Sequence, residues 1–144
     1  MKSCSVCQKH NLEEDLLLWR NNDWFIYHGP FNSQLLGYLY LEPKRHVENW
    51  NEFRPDELSQ MGNLIKEAEC KLKSILDLDR LYVITISEAV RHIHLHLVPR
   101  SQGSDVKGLS LIEQATQQKN IPSQNISMEE FDCFIVRLKN IFSS

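Results

Sequence analysis

Apolar residues in this chain recur with two different periods. Leu16-Leu-Leu-Trp-Arg20 and Trp24-Phe-Ile-Tyr27 are short apolar runs flanking the polar triplet Asn21-Asn-Asp23, which predicts a β-hairpin. Gly29-Pro30 breaks the run, and Leu36 to Leu41 predicts a third strand. From Pro55 to Ile75 the spacing changes: Leu58, Met61, Leu64, Ile65, Ala68, Leu72 and Ile75 recur at the interval of a helix laid on a core. Pro55 in the first turn, followed by Asp56 and Glu57, suits the positive end of that helix. Segments 81–87 and 92–98 are apolar again and predict neighbouring strands joined by a tight turn around Glu88 and Ala89. Ser101 to Gln124 carries Gly103, Gly108 and Pro122 and is expected to be loop with a short helix around Leu109 to Thr116. Ser127-Met-Glu-Glu130 fits a capping box opening a last helix, whose apolar face is Phe131, Phe134, Ile135, Leu138 and Phe142. The expected fold class is α+β: one domain over residues 1–144, with a mostly antiparallel five-stranded sheet, a long helix on one face and a C-terminal helix.

The segment 92–98 also carries the most unusual polar pattern, His92-Ile-His-Leu-His96. Extended backbone turns successive side chains to opposite faces, so His92, His94 and His96 share one face while Ile93 and Leu95 share the other. Ordinary surface or satisfied histidines explain one such residue well and three on alternate positions poorly. One metal held by all three fails on distance. His92 and His96 stand about 13 Å apart along a strand, whereas zinc–nitrogen bonds are about 2.0–2.1 Å. Two neighbours such as His92 and His94 could still chelate together. Division of labour fits best, because a neutral imidazole can attack phosphorus, hold the transferred group covalently and release it to water. Flanking rings can then donate to phosphate oxygens or protonate the leaving group.

His92-Ile-His-Leu-His-Leu-Val98 resembles the signature of the histidine-triad (HIT) family of nucleotide hydrolases and transferases, His-φ-His-φ-His-φ-φ with φ apolar. The following Pro99-Arg100 resembles the family too, as does Gly37-Tyr-Leu-Tyr-Leu-Glu-Pro-Lys-Arg-His46 upstream, and the resemblance runs roughly from Cys4 to Arg100. It implies a HIT-like domain, a homodimer, and hydrolysis or transfer at the α-phosphate of a purine nucleotide, such as a dinucleoside polyphosphate or a nucleoside phosphoramidate. His94 would be the nucleophile and His96 would assist at the phosphate or leaving group. Asn32 lies where relatives hold the ribose, and Glu88 lies beside the substrate. A Gly-Gln-Ser/Thr segment commonly precedes the first histidine in the family, whereas Ser87-Glu88-Ala89 stands here. A carboxylate beside a phosphate is repelled unless a cation such as Arg91, Lys44 or Arg45 offsets it. That departure supports an alternative, a zinc-stabilised nucleotide-binding or regulatory protein with little turnover. A nucleotide-sugar uridylyltransferase fits less well, because that branch usually has glutamine at the third triad position, where His96 stands here.

Cys4-Ser-Val-Cys7 offers two thiolates at a spacing zinc favours, but a site needs two further ligands. His10 is near in sequence; His46 and His92 are the other set. The resemblance to bacterial HIT proteins implies the second set, with Cys4, Cys7, His46 and His92 around a structural zinc that pins the N-terminus to the sheet. Without metal, the pair would be reduced thiols on a loose terminus and His46 a surface histidine. Cys70 and Cys133 fall on predicted helices among apolar neighbours and are expected to be inert core residues.

The chain has 144 residues, a net charge of −3, a pI near 6.1 and 42% hydrophobic residues, which argues against a nucleic-acid or membrane-surface binder. The absence of a signal peptide and of a long apolar run, together with the cysteine usage, leads to an expectation of a cytoplasmic protein whose partner is a small-molecule nucleotide. Lys44 and Arg45 are expected to be solvated, and Trp24, Phe25 and Ile26 to be core.

Overall fold

Apolar strands, the central ones covered on both faces, build the sheet. In the computed structural model, which describes residues 4–12, 15–119 and 125–143, five strands are hydrogen-bonded: β1 (Leu17–Arg20), β2 (Trp24–His28), β3 (Leu39–Pro43), β4 (Leu78–Ile84) and β5 (Leu95–Ser101). Their order is β1-β2-β3-β5-β4 and every neighbouring pair is antiparallel. Asn21 closes the first hairpin, its side-chain oxygen accepting from the backbone N–H of Asp23 at 2.9 Å and of Trp24 at 2.8 Å.

Four helices cover the two faces: α1 (Ser5–His10), α2 (Pro55–Lys73), α3 (Leu109–Ala115) and α4 (Met128–Phe142). Trp24, Ile26, Leu39, Leu41, Leu95 and Leu97 point to one face, where Ala68 and Leu72 of α2 and Phe134, Leu138 and Phe142 of α4 pack on them. The opposite face carries Phe25, Tyr27, Tyr40, His96 and Val98. At one end of it α1 stacks His10 on Phe25 with ring centroids 4.1 Å apart. At the other end, Leu111 and Ala115 of α3 pack against Tyr38 and Val98. His94 and His96 border a cavity beside α3.

The start of α2 uses Glu57, which is 1% exposed and accepts from the Arg54 backbone N–H at 2.8 Å. Arg45, expected to be merely solvated, clamps that carboxylate at 2.7 Å and holds its pKa below the ordinary glutamate value, while Lys44 is exposed. The Ser127 hydroxyl accepts from Glu130 N–H at 3.0 Å at the start of α4, as the capping pattern predicts.

Two glycines are required by close approach. Gly37 has φ +89°, and a Cβ there would meet Leu76 Cδ1 at 2.5 Å. A Cβ on Gly29 would lie 2.3 Å from the ring of Tyr38. Beside them sits His28, whose Nδ1–H donates to Gly29 O at 2.7 Å and whose Nε2 accepts from Gly37 N–H at 2.9 Å. Burial lowers its pKa to about 4, so it is a neutral structural residue.

Several expectations need correction. The strands predicted at 81–87 and 92–98 are β4 at Leu78–Ile84 and β5 at Leu95–Ser101, and the expected tight turn is a longer loop over 85–94. The backbone leaves the ladder there because Ile93 N–H is taken by Val47 O at 2.7 Å and His94 O by the Thr85 hydroxyl at 2.9 Å. β5 continues through Pro99 because its pairing with β3 ends at Leu97, so the missing N–H falls where β4 is the sole strand neighbour. Cys70 and Cys133 are exposed, not core. Each lies two residues from a buried position on its helix, Ala68 and Phe131, and so faces away from the sheet.

Candidate active site and metal centre

His92, the first histidine of the run, turns inward and is fully buried. Its Nε2–H donates to Pro43 O at 2.8 Å, which leaves Nδ1 free as a ligand atom. That atom stands 3.5 Å from Cys4 Sγ and 3.4 Å from Cys7 Sγ, and His46 Nδ1 is 3.4 Å from Cys7 Sγ. All four ligand atoms lie within 4.8 Å of one another. Atoms bound about 2.0–2.3 Å from one zinc at tetrahedral angles stand roughly 3.5 Å apart, so the spacing suits that ion. His46 donates its other nitrogen to Glu48 Oε2 at 2.9 Å, the outer support a metal-ligating histidine commonly has. Burial, with Cys4 beside it, pushes the Cys7 thiol up to about 11. A cation is what would hold both sulfurs as thiolates.

His10 was the competing ligand, and it is engaged elsewhere. Its Nε2 bonds Glu42 Oε1 at 2.9 Å, and Lys9 Nζ bonds Glu42 Oε2 at 2.7 Å. Burial would raise the Glu42 pKa, but these two partners from α1 hold it below the ordinary value. Glu42 thus ties the Cys-x-x-Cys helix to β3.

His94 and His96 stand apart from the four-ligand cluster, toward α3. They line a cavity of about 540 Å³ under α3, with ring centroids 5.1 Å apart, and His92 is not part of its wall. His94 Nδ1 is 2.7 Å from His92 O; a carbonyl only accepts, so Nδ1 carries a proton, and in the neutral ring the lone pair is at Nε2. His96 is pushed down to about 4 by burial and by His94, so it is neutral. Its Nδ1 is 2.6 Å from the hydroxyl of Tyr38.

Glu88 also lines the cavity, as a largely solvated mouth residue paired with Arg91 at 3.7 Å. The remaining walls are mostly apolar, with Ile84, Ile86, Val90 and Ile112 among them. Asn32 lies exposed in the 3₁₀ turn Phe31–Ser33 and is not among the lining residues. Two residues that sequence reasoning passes over belong here. Ser87 adopts φ +53°, a left-handed conformation at the position where the resemblance expects glycine, and its hydroxyl accepts from His94 N–H at 3.3 Å. Tyr38 carries no sequence signal of its own, because nothing local marks an aromatic as the neighbour of a histidine 58 residues away.

The sequence profile described as "HIT domain" matches residues 20–103, more than half of the chain. Cys4 and Cys7 lie outside the matched span. Among solved structures, a zinc-bound histidine triad family protein from Mycobacterium smegmatis aligns with TM-score 0.69 at 16% identity, over 99% of this chain and 94% of that one. A hypothetical histidine triad nucleotide-binding protein from Sulfolobus tokodaii aligns with TM-score 0.68 at 18% identity, over 97% and 92%. A uridylyltransferase aligns with TM-score 0.68 at 17% identity, over 99% of this chain and 46% of that one. No curated protein matches the chain.

Proposed function

The chain belongs to the HIT-domain family, and on that premise we propose that it is a nucleotide hydrolase or nucleotidyl transferase acting at the α-phosphate of a purine nucleotide through a nucleotidyl-His94 intermediate. The observation that carries this reading is the His94 hydrogen bond: Nδ1–H donates to the His92 carbonyl, so the neutral ring has its nucleophilic lone pair at Nε2, and the ring lines the cavity. Attack forms a P–Nε2 bond and breaks the bond from phosphorus to the leaving group, which departs with the electron pair and takes a proton from water. The hydroxide equivalent then displaces the imidazole, releasing the nucleoside monophosphate, so one water is consumed overall. His96, beside His94, stabilises the developing charge on the phosphate, and Glu88 with Arg91 borders the entrance. A uridylyltransferase role is disfavoured by His96 in the place that branch reserves for glutamine. Cys4, Cys7, His46 and His92 would hold a zinc ion whose contribution is structural, supporting the backbone from which His94 springs.

Incubation with diadenosine tetraphosphate and with adenosine phosphoramidate tests the reading. AMP should be released from at least one of them, and protein quenched during turnover should gain the mass of one adenylyl group, absent in His94→Ala. Binding of both without release or adduct would instead establish a nucleotide-binding protein that has lost turnover, as the Ser87-Glu88-Ala89 segment would allow.

A further inference from the structure

Tyr38 is placed with more care than a filler aromatic needs. It is fully buried, its ring stacks on that of His96 at an interplanar angle of 13°, and its backbone carbonyl accepts from Gly29 N–H at 2.8 Å. The ring fits only because Gly29 has no Cβ, and it follows Gly37, whose positive φ turns the chain into β3. The hydroxyl ends 2.6 Å from His96 Nδ1.

We propose that Tyr38 is a positioning residue that fixes His96 as the Nε2–H tautomer, so that His96 presents a neutral hydrogen-bond donor, not a proton acceptor, to the phosphate held before His94. The polarity of the contact follows from chemistry. A phenol gives up its proton with a pKa near 10, whereas an imidazole nitrogen accepts one near 6.5, so O–H···N is favoured over N–H···O between them. The distance agrees: bonds donated by N–H to oxygen cluster near 2.9–3.0 Å and those donated by O–H are shorter. Burial first, and Tyr40 second, raise the Tyr38 pKa far above the ordinary value, so the hydroxyl keeps its proton. Tyr40 stands beside it with ring centroids 5.1 Å apart, and the Tyr38 oxygen has lone pairs to accept a further bond while its single proton goes to His96.

The two adjacent histidines are then opposites. His94, with Nδ1–H on a carbonyl, has a lone pair at Nε2; His96, with Nδ1 accepting from a phenol, has a proton at Nε2. One attacks, and the other steadies the oxygens of the group attacked. Because the Tyr38 phenol does not ionise, His96 cannot pass its Nε2 proton on and be refilled from behind. It donates a hydrogen bond throughout and leaves protonation of the leaving group to water.

This deepens the proposed function and rests on it for the word phosphate, but its test does not need turnover. In the purified full-length protein, long-range ¹H–¹⁵N correlations of the histidine rings should show a protonated Nε2 and an unprotonated Nδ1 for His96, and the reverse for His94. Tyr38→Phe keeps the ring on Gly29 and removes only the hydroxyl; the His96 signals should then shift toward a mixture of tautomers. If AMP release is observed, kcat should fall on the order of tenfold with KM little changed. A wild-type spectrum with the proton on His96 Nδ1, or His96 shifts that Tyr38→Phe leaves in place, would overturn the inference whether or not either substrate is cleaved. Absence of turnover with the expected tautomers would count against the enzymatic reading alone.

Discussion

His92 and His94 are the same residue type two positions apart, and the protein treats them oppositely. The first is sealed in the interior, gives its Nε2 proton to Pro43 O and offers Nδ1 to two sulfurs. The second gives its Nδ1 proton to the carbonyl of the first and offers Nε2 to a cavity. What an imidazole does is therefore decided by which of its nitrogens the backbone occupies. Burial alone does not decide it: His28 is buried as deeply, has both nitrogens occupied by backbone, and only supports.

The sharpest way to break the comparison is to exchange losses between the two sites. His94→Ala should reduce AMP release by about a thousandfold or more while metal content and melting temperature stay near wild type. If that variant also loses metal, the two halves are not separable. Removing a metal ligand should do the reverse. Cys4→Ser, or stripping with a chelator, should abolish stoichiometric zinc and lower stability by about 3 kcal/mol or more, measured by denaturant titration with elemental analysis. A variant with unchanged metal content and stability would remove the metal centre from this account.

His28 supplies the control. Its pKa is lowered to about 4 in the fold against 6.5 when exposed, so the folded state resists a proton that the unfolded chain accepts. The stabilisation is fully present above 6.5 and is lost as pH falls through 4, by about 3 kcal/mol in all. His28→Gln, whose amide can mimic both backbone bonds, should flatten that part of the stability–pH curve relative to wild type. An unchanged slope would mean that His28 is not the group responsible. The smallest effect is expected at Ser87. Ser87→Gly relieves a left-handed serine but deletes the acceptor for His94 N–H, so stability should move by no more than about 1 kcal/mol while turnover falls roughly threefold to tenfold. Higher turnover in this variant would show that the serine is a burden the site tolerates.

The histidine run, the Cys-x-x-Cys pair, the long helix and the five strands were legible in the chain, because each rests on spacing between near neighbours. The strand ends were not, since Val47 from a distant segment and Thr85 from across the loop take the backbone groups of 93 and 94 away from the ladder. The exposure of Cys70 and Cys133 could have been found by extending the helical repeat, because both sit two places from buried residues. The choice between His10 and the His46–His92 pair could not be reached from spacing. It depended on which rings the fold brings to the two sulfurs: His46 and His92 reach them, whereas His10 stacks on Phe25 and bonds Glu42.

Sequence alone marked the side chains proposed here for chemistry, since an alternating run of histidines on apolar backbone has few other uses. Tertiary structure decided which nitrogen of each ring is free: the acceptors and donors responsible, Pro43 O, His92 O and the Tyr38 hydroxyl, include groups 49 and 58 residues away from the rings they set. A tautomer is fixed by whatever hydrogen bonds the opposite nitrogen, and only folding brings those partners within reach.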